Sequence, residues 1–153
     1  NILVGPHAFK FCFWFRLCSK KNIFLVPAYF MYRYYSNKYG IQITRKTKIG
    51  YGLYLGHANG IIVNSTAVIG NNVNLSQFIT IGSNEGQAAV IGDNVYVGPS
   101  VCIVENVNIG DNVTIGAGAV VTKDITSGAT AVGVPARIIS FDKQARYIKN
   151  RWE

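Results

Sequence analysis

The sequence predicts an all-β solenoid of about four to five coils, with a short helical cap before it and a helix after it. Large aliphatic residues recur every six positions through the middle of the chain, and glycine follows most of them. The segments on either side lack this period. Six residues are too few for the unit of a helical solenoid, but they suit a short strand followed by a turn.

Residues 1–40 are predicted to form a helical N-terminal segment, which is rich in aromatic and basic side chains. Pro6 is suited to the start of a helix, a second helix is expected over 27–39, and Gly40 is suited to its end. Helices of this kind can lie in a membrane interface. We favour the alternative, in which they pack on the rest of their own fold or on a sister subunit. The residues at helical spacing in the first helix are Phe9, Phe13 and Leu17.

Residues 41–139 are predicted to form the repeat domain. One aliphatic side chain per hexad is expected to point into a narrow core, and three hexads would make one triangular coil. Glycine after the aliphatic residue, and turns such as Asn71-Asn72 and Asp93-Asn94, are expected at corners that need a positive φ. The aliphatic positions are 43, 49, 55, 63, 69, 75, 81, 91, 97, 103, 109, 115 and 121.

Two insertions break the register of the repeat. Two extra residues lie between Leu55 and Val63, and four extra residues lie between Ile81 and Ile91. The first insertion contains His57, which is the only histidine within the repeat. Because loops that protrude from a rigid scaffold often carry function, we expect the functional site at these insertions.

Residues 140–153 are predicted to form a C-terminal helix, because the six-residue period fades after Val121. Ser140 is a suitable N-cap for this helix. The apolar residues that would share one of its faces are Phe141, Ala145, Ile148 and Trp152.

The basic residues of this chain lie mostly in its first half. Its net charge is +8, and nine basic residues precede Glu85, which is the first acidic residue. This distribution would attract an anionic partner, such as a phosphorylated cofactor, a lipid head group or nucleic acid, unless it is simply a solvated surface. The sequence contains no recognised nucleic-acid-binding motif, so we expect no nucleic acid partner.

Cysteine usage and hydropathy bear on the location of the protein. The three cysteines have no metal-ligand spacing and indicate free thiols in a reducing compartment, so we expect the cytoplasm and no bound metal. The sequence has no run of about 18 uncharged apolar residues, so a transmembrane helix is not expected.

The repeat and three motifs carry a resemblance to a known family. The hexad array, GHANGIIV, LSQFITIG and the closing GVPARI together resemble the hexapeptide-repeat acyltransferases, in their serine acetyltransferase-like branch. The resemblance covers roughly residues 40–140. It implies a left-handed parallel β-helix, a homotrimer with active sites between subunits, and acetyl-CoA as the co-substrate.

The resemblance also implies roles for single residues. His57 matches the general base that deprotonates an acceptor hydroxyl as this hydroxyl attacks the thioester. Gln42 stands where serine acetyltransferases carry the aspartate that orients the imidazole, so we expect it to accept the imidazole N–H. Gly56 and Ala88 stand where those enzymes carry an aspartate and a histidine. These departures favour a sugar or polysaccharide precursor as the acceptor, and serine O-acetyltransferase is the alternative.

The binding residues are expected on the insertions and at two corners of the coil. Small residues there would admit the pantetheine arm, and later basic residues would meet the phosphates. The expected acceptor-binding residues are Asn59, Asn84 and Glu85. The expected acetyl-CoA-binding residues are Gly98, Pro99, Ser100, Gly116, Ala117, Lys123 and Arg137. For His7 we expect a structural role.

Two further classes of function are weighed. A β-helix carbonic anhydrase needs a zinc site of three histidines, whereas this chain has only His7 and His57. A catalytically inactive scaffold or membrane-associated binding module is suggested by the aromatic, basic N-terminus and the missing aspartate. A lipid-linked sugar at the cytoplasmic face of the membrane would use the same aromatic and basic residues, so peripheral membrane contact is a hypothesis.

Overall fold

The computed structural model describes residues 7–19, 23–142, 145–148 and 151–152. Pro6, the predicted start of the first helix, lies outside them. Helix α1 spans His7–Cys18 and helix α2 spans Leu25–Tyr39. The strands are β1 (Gln42–Ile43), β2 (Lys48–Ile49), β3 (Tyr54–Leu55), β4 (Ile62–Val63), β5 (Val68–Ile69), β6 (Asn74–Leu75), β7 (Thr80–Gly82), β8 (Val90–Ile91), β9 (Tyr96–Val97), β10 (Cys102–Val104), β11 (Asn108–Ile109), β12 (Thr114–Ile115), β13 (Val120–Val121), β14 (Ala129–Val132) and β15 (Arg137–Phe141).

The strands form three sheets, one for each face of a triangular coil. Face 1 has the strand order β1-β4-β7-β10-β13, face 2 has β2-β5-β8-β11, and face 3 has β3-β6-β9-β12-β14-β15. The pairings are parallel except for the antiparallel pair β14–β15. Because the chain visits the three faces in turn, it forms a parallel β-solenoid of about four turns, which confirms the predicted fold class.

The repeated aliphatic side chains fill the inside of the coil, as predicted. Leu55, Leu75 and Val97 stack in register along face 3, and each exposes 1% or less of its surface. The residues before them point outward, and Tyr54 is therefore 59% exposed. Since each buried side chain packs against the coils above and below it, every coil depends on its neighbours for stability.

The two helices pack against each other, and their inner aromatic residues belong to the protein's own core. Phe11 and Phe15 on α1 are buried and contact Tyr32 on α2, whose hydroxyl donates to the Ile43 carbonyl at 2.6 Å. The buried stripe of α1 differs from the predicted one, since Phe9 is half exposed. No described helix has the length and hydropathy needed to cross a membrane.

Positive φ occurs at asparagines and at some glycines, but not at the glycines that follow the aliphatic residues. Asn72 and Asn94 both have φ 55, as predicted for these turns, and Gly40 ends α2 with φ 62. Gly70 lacks a positive φ, and a Cβ there would lie 2.3 Å from Asp93 Oδ1. The prediction of a positive φ at these glycines is therefore wrong. At Gly70, and likewise at Gly50, Gly92, Gly98 and Gly110, the close approach of the next coil excludes a side chain.

The space beside these glycines is used by a ladder of hydrogen bonds. In each coil, the residue after the glycine has a backbone N–H at the corner. A side-chain oxygen of an Asn, Asp or Ser in the next coil accepts this N–H and so satisfies it. The bonds are Tyr51 N–H to Asn71 Oδ1 (2.9 Å), Asn71 N–H to Asp93 Oδ1 (2.6 Å), Asp93 N–H to Asp111 Oδ1 (2.7 Å) and Asp111 N–H to Ser127 Oγ (3.0 Å).

The predicted C-terminal helix is wrong, because the described residues of 140–153 contain no helix. Ser140 and Phe141 instead end β15, which pairs antiparallel with β14 and covers its free edge. The Thr130 hydroxyl on β14 donates to Asp142 Oδ2 at 2.9 Å and continues this attachment. The open edge of a sheet thus prevails over the helical spacing of the apolar residues. Positions 143–144, 149–150 and 153 lie outside the described residues.

Candidate active site

One corner of the coil, between faces 3 and 1, repeats a single backbone turn through the stack. The corner residue has a positive φ in four successive coils, and Gly40, which ends α2 just before β1, has the same φ below them; we call these five residues the corner column. Its members are Gly40 (φ 62), Gly60 (φ 61), Phe78 (φ 58), Ser100 (φ 58) and Gly118 (φ 68). Backbone bonds link them: Gly60 N–H to Tyr39 O (3.0 Å), Phe78 N–H to Asn59 O (3.0 Å), Ser100 N–H to Gln77 O (3.0 Å) and Gly118 N–H to Pro99 O (2.9 Å).

His57 lies on the two-residue insertion, three residues before Gly60 of the corner column. The insertion starts at Gly56, whose N–H donates to the Leu75 carbonyl at 2.8 Å, and it ends at Gly60 in the regular corner pattern. Since both ends follow the coil, the extra residues protrude from its edge. His57 is accordingly exposed, with φ 51. An exposed imidazole on a rigid corner is suited to accept a proton from a bound ligand.

His57 borders a cavity of about 680 Å³ between the insertion and α2. Its lining combines the imidazole with an amide, an ammonium and phenol groups. The polar residues that line it are His7, Lys38, Tyr39, Tyr54, His57 and Asn59. The His7 ring stacks on the Tyr39 ring with centroids 4.6 Å apart, which is consistent with the expected structural role of His7.

The two corners predicted to bind the cofactor lie further along the same edge. Ser100 and Gly118 belong to the corner column two and three coils after the insertion, or about 10 and 14 Å at the spacing of paired strands. The Pro99 carbonyl accepts the Gly118 N–H, so it is used within the protein. A Cβ at Gly98 would lie 2.8 Å from the Ala117 nitrogen, so no side chain fits there.

The remaining predicted cofactor residues lie in different places. Gly116 precedes the last member of the corner column, and a Cβ there would lie 2.7 Å from Val132 Cγ1. Arg137 begins β15, just after the chain has passed the same corner once more, and it is exposed. Lys123 follows β13 at the opposite end of face 1. Arg137 is therefore closer to the corner column than Lys123 is.

A second cavity, of about 780 Å³, lies between α2 and the other end of face 1. Its polar lining contains amides, hydroxyls and one guanidinium, but neither this lining nor that of the His57 cavity contains Asp or Glu. Gln42 and Asn84 both line this second cavity. The other polar side chains in its lining are Tyr32, Arg33, Ser36, Asn37, Thr44, Asn64 and Ser83.

Glu105 holds the second insertion in place from the next coil. Its carboxylate accepts the Ser83 hydroxyl at 2.7 Å and the backbone N–H groups of Asn84 and Glu85, each at 3.3 Å. The Ser83 hydrogen bond, followed by that of Asn84, lowers the pKa of Glu105 below its ordinary value. Sequence reasoning missed Glu105, because no local pattern relates it to a loop twenty residues earlier.

The structure thus divides the predicted site residues into two groups. His57 and Asn59 share one cavity, whereas Gln42 and Asn84 share the other. Among the described residues, no hydrogen bond joins Gln42 to His57, and Glu85 lines neither cavity. Sequence reasoning also missed Arg33 and Lys38 as lining residues, since both lie on α2 and the basic charge of that segment does not reveal which side chains face a cavity. Within the described part of the chain, no group of three metal-ligating side chains is positioned to hold a metal.

The repeat and the sequence match known transferases. A family model described as "Bacterial transferase hexapeptide (six repeats)" matches residues 88–123. The chain is 35% identical over 112 residues to a serine acetyltransferase of Haemophilus influenzae, an alignment that covers 71% of this chain and 42% of the relative. This chain therefore spans less than half the length of that relative.

Solved structures show the same fold over most of the chain. The Neisseria gonorrhoeae serine acetyltransferase in complex with serine matches with a TM-score of 0.77 and 36% identity, covering 88% of this chain and 58% of that one. The Brucella abortus serine acetyltransferase in complex with coenzyme A matches with a TM-score of 0.81 and 27% identity, covering 94% and 60%. Both support the fold class predicted from the sequence.

Proposed function

We propose that this chain, which belongs to the serine acetyltransferase-like branch of the hexapeptide-repeat acyltransferase superfamily, is an acetyl-CoA-dependent O-acetyltransferase. The observation that carries the proposal is the arrangement along one edge of the coil. A protruding histidine comes first, and two corners of small residues follow it two and three coils later. The names of the similar proteins point to the same chemistry.

In the proposed reaction, His57 accepts the proton of the acceptor hydroxyl while the hydroxyl oxygen attacks the carbonyl carbon of the thioester. The carbon–sulfur bond then breaks, the acetyl group stays on the acceptor oxygen, and the imidazolium returns the proton to the CoA thiolate. General base catalysis of this kind contributes about 10²–10⁴-fold. Among the side-chain donors that line the His57 cavity, we assign Lys38 and Asn59 to the oxyanion.

The acetyl-CoA arm is proposed to follow the corner column from Gly118 towards His57. Support comes from the small residues at the corners and from the relative solved with coenzyme A. Arg137 is assigned to the phosphates, because it follows the same corner and carries a permanent positive charge. Lys123, at the other end of face 1, would reach the cofactor only from a neighbouring copy of the chain.

We further infer that the two cavities meet between neighbouring copies in a homotrimer. His57 and Asn59 of one copy would then face Gln42 and Asn84 of the next. This arrangement would let the Gln42 carbonyl accept the imidazole N–H, which it does not do within one chain. The separation of the two groups in the single chain supports this inference, because neither cavity alone contains all the predicted catalytic residues.

For the acceptor, the comparisons favour the serine alternative over the saccharide predicted from Gln42 and Gly56. The relatives named above are serine acetyltransferases, and one of them was solved with serine. L-Serine is therefore the first candidate. A saccharide hydroxyl is the second, because the linings of both cavities lack a carboxylate that would pair with the ammonium group of an amino acid.

Two further proposals concern the location of the protein and its contact with a membrane, and only the second depends on the acceptor. We propose a cytoplasmic enzyme, since acetyl-CoA is a cytoplasmic substrate and the described cysteines are free thiols. If the acceptor is a lipid-linked saccharide, exposed apolar residues on α2, among them Val26 and Phe30, would lie at the membrane face beside Arg33. Absence of binding to anionic vesicles at low salt would remove this part of the proposal.

The proposal is tested by measuring CoA release from acetyl-CoA with L-serine and with a panel of sugars. His57→Ala is expected to lower kcat/KM by about 10²–10⁴-fold. Binding of acetyl-CoA, measured by calorimetry, is the control and should change little in the same variant. If the unaltered chain neither binds acetyl-CoA nor releases CoA with any acceptor, the inactive scaffold becomes the better description.

A further inference from the structure

Phe78 is the only bulky residue of the corner column. The other four members are Gly40, Gly60, Ser100 and Gly118, and all five positions have φ between 58 and 68. A side chain with a Cβ is disfavoured in this left-handed region, and a large aromatic residue is rare there. Burial does not compensate for this cost, because Phe78 is 57% exposed. Such a strained, exposed aromatic residue is typical of a functional position.

The ring of Phe78 is turned towards the insertion that carries His57. A Cβ at Gly60 would lie 2.7 Å from Phe78 Cδ1 and 3.2 Å from Phe78 Cε1. The ring therefore occupies the space that a side chain at position 60 would need, while its other side faces outward. It forms an apolar surface directly beside the loop of the proposed general base.

The order of residues along the edge determines what passes over this ring. The insertion with His57 comes first, Phe78 occupies the next coil, and Ser100 and Gly118 follow in the two coils after it. A cofactor that lies over the last two corners and presents its thioester to His57 has to cross the coil of Phe78. The reactive end of the donor is thereby brought against the ring.

We propose that Phe78 determines which acyl groups this enzyme transfers, by filling the space beside the thioester that an acyl chain longer than acetyl would need. The inference rests on the proposed function and adds the acyl specificity to it. An acetyl methyl group fits against the ring, whereas each further methylene of a propionyl or butyryl group has to displace it. One methylene in a confined apolar site changes kcat/KM by about 10–200-fold.

The experiment compares kcat/KM for acetyl-CoA and butyryl-CoA with the same acceptor. Phe78→Ala and Phe78→Gly are expected to lower the preference for acetyl-CoA by about tenfold or more. Phe78→Tyr keeps the ring and should retain the preference. Phe78→Gly also relieves the left-handed backbone, so its melting temperature should be no lower than that of the unaltered chain. The matched control is Phe141→Ala, which removes a similarly exposed ring on β15.

The inference is overturned if Phe78→Gly leaves the preference for acetyl-CoA over butyryl-CoA unchanged. If the oligomeric state changes while this preference does not, the ring packs on a neighbouring copy instead. Calorimetry with acetyl-CoA and butyryl-CoA separates this failure from that of the proposed function. If the unaltered chain binds and uses acetyl-CoA but the variants keep its selectivity, only the role of Phe78 fails. If it binds neither donor, both proposals fail.

Discussion

Asn72 and Trp152 are joined by a reciprocal pair of hydrogen bonds. The backbone N–H of Trp152 donates to Asn72 Oδ1 at 2.6 Å, and Asn72 Nδ2 donates to the backbone carbonyl of Trp152 at 3.1 Å. The indole also stacks on Tyr51, with ring centroids 5.4 Å apart. Earlier in the tail, the Arg146 N–H donates to Thr114 Oγ1 at 2.9 Å. The described residues of the tail thus return from the last coils to the first.

Replacing Asn72 tests this attachment. Asn72→Ala removes both bonds to Trp152 and a third bond to Asn94, and it places alanine at φ 55. We expect a loss of about 1–3 kcal/mol in the free energy of unfolding, since a buried hydrogen-bonding partner is removed. Urea denaturation measures it.

Asn112 provides the matched control for Asn72. It occupies the same corner two coils later with φ 57, and no side-chain hydrogen bond joins it to other described residues. Asn112→Ala therefore measures the backbone cost alone. Equal losses in the two variants would show that the tail contributes nothing through Asn72.

Gly70 tests the explanation given for the glycines of the repeat. Gly70→Ala would place a Cβ 2.3 Å from Asp93 Oδ1 and 2.6 Å from the Gly92 carbonyl oxygen, so the next coil would have to move. We expect a loss of about 1–3 kcal/mol in the free energy of unfolding, as for other overpacked sites. Gly82→Ala is the control, because only Thr80 Cγ2, at 3.6 Å, lies near its added Cβ. A greater loss in Gly82→Ala would contradict the explanation.

The order of the second insertion should depend on pH through Glu105. Hydrogen bonds from Ser83 and Asn84 lower the pKa of this carboxyl, so its contribution to stability is present above the ordinary glutamate pKa of about 4.3. The contribution is lost as the pH falls through the lowered, folded-state pKa. NMR chemical shifts of the Asn84 amide should report a titration whose midpoint lies below the ordinary glutamate pKa of about 4.3.

Two variants check the assignment of this titration to Glu105. Ser83→Ala removes the largest cause of the shift, so the apparent pKa should rise towards its ordinary value. Glu105→Gln should abolish the titration at the Asn84 amide. A titration that persists in Glu105→Gln would assign it to another group.

A mixing experiment tests whether the active site is shared between copies. His57→Ala and Gln42→Ala are each expected to be impaired as pure proteins. After the two are unfolded and refolded together, random assembly would give about a quarter of the sites with both intact residues, one from each copy. CoA release should then exceed the mean of the two pure variants. Activity equal to that mean would place both residues in the same chain's site.

The repeat was predictable because its information is local. Leu55 and Val97 are buried since each follows the six-residue period, and the turns at Asn72 and Asn94 need a positive φ that asparagine tolerates. The role of Gly70 was not predictable in the same way, because the atoms that exclude a side chain there belong to the next coil. Contacts between coils have no signal in a short window of sequence.

The tail and the site show the same limit. Phe141 and Trp152 have helical spacing, but the free edge of β14 recruits β15, and only the fold reveals that edge. His57 was found because an insertion in a regular repeat is visible in the sequence. That Gln42 lines a different cavity was not visible, since a whole face of the coil can separate residues fifteen positions apart.

The corner column has a consequence for how this protein could change over evolution. Its turns are held by backbone N–H and carbonyl groups, and the chain resumes them at Gly60 after two additional residues. The length and composition of the insertion can therefore vary while the turns on either side of it keep their backbone hydrogen bonds. The hydrogen bonds that hold these turns do not involve the side chains of the insertion, so its sequence can change while the coil stays in register.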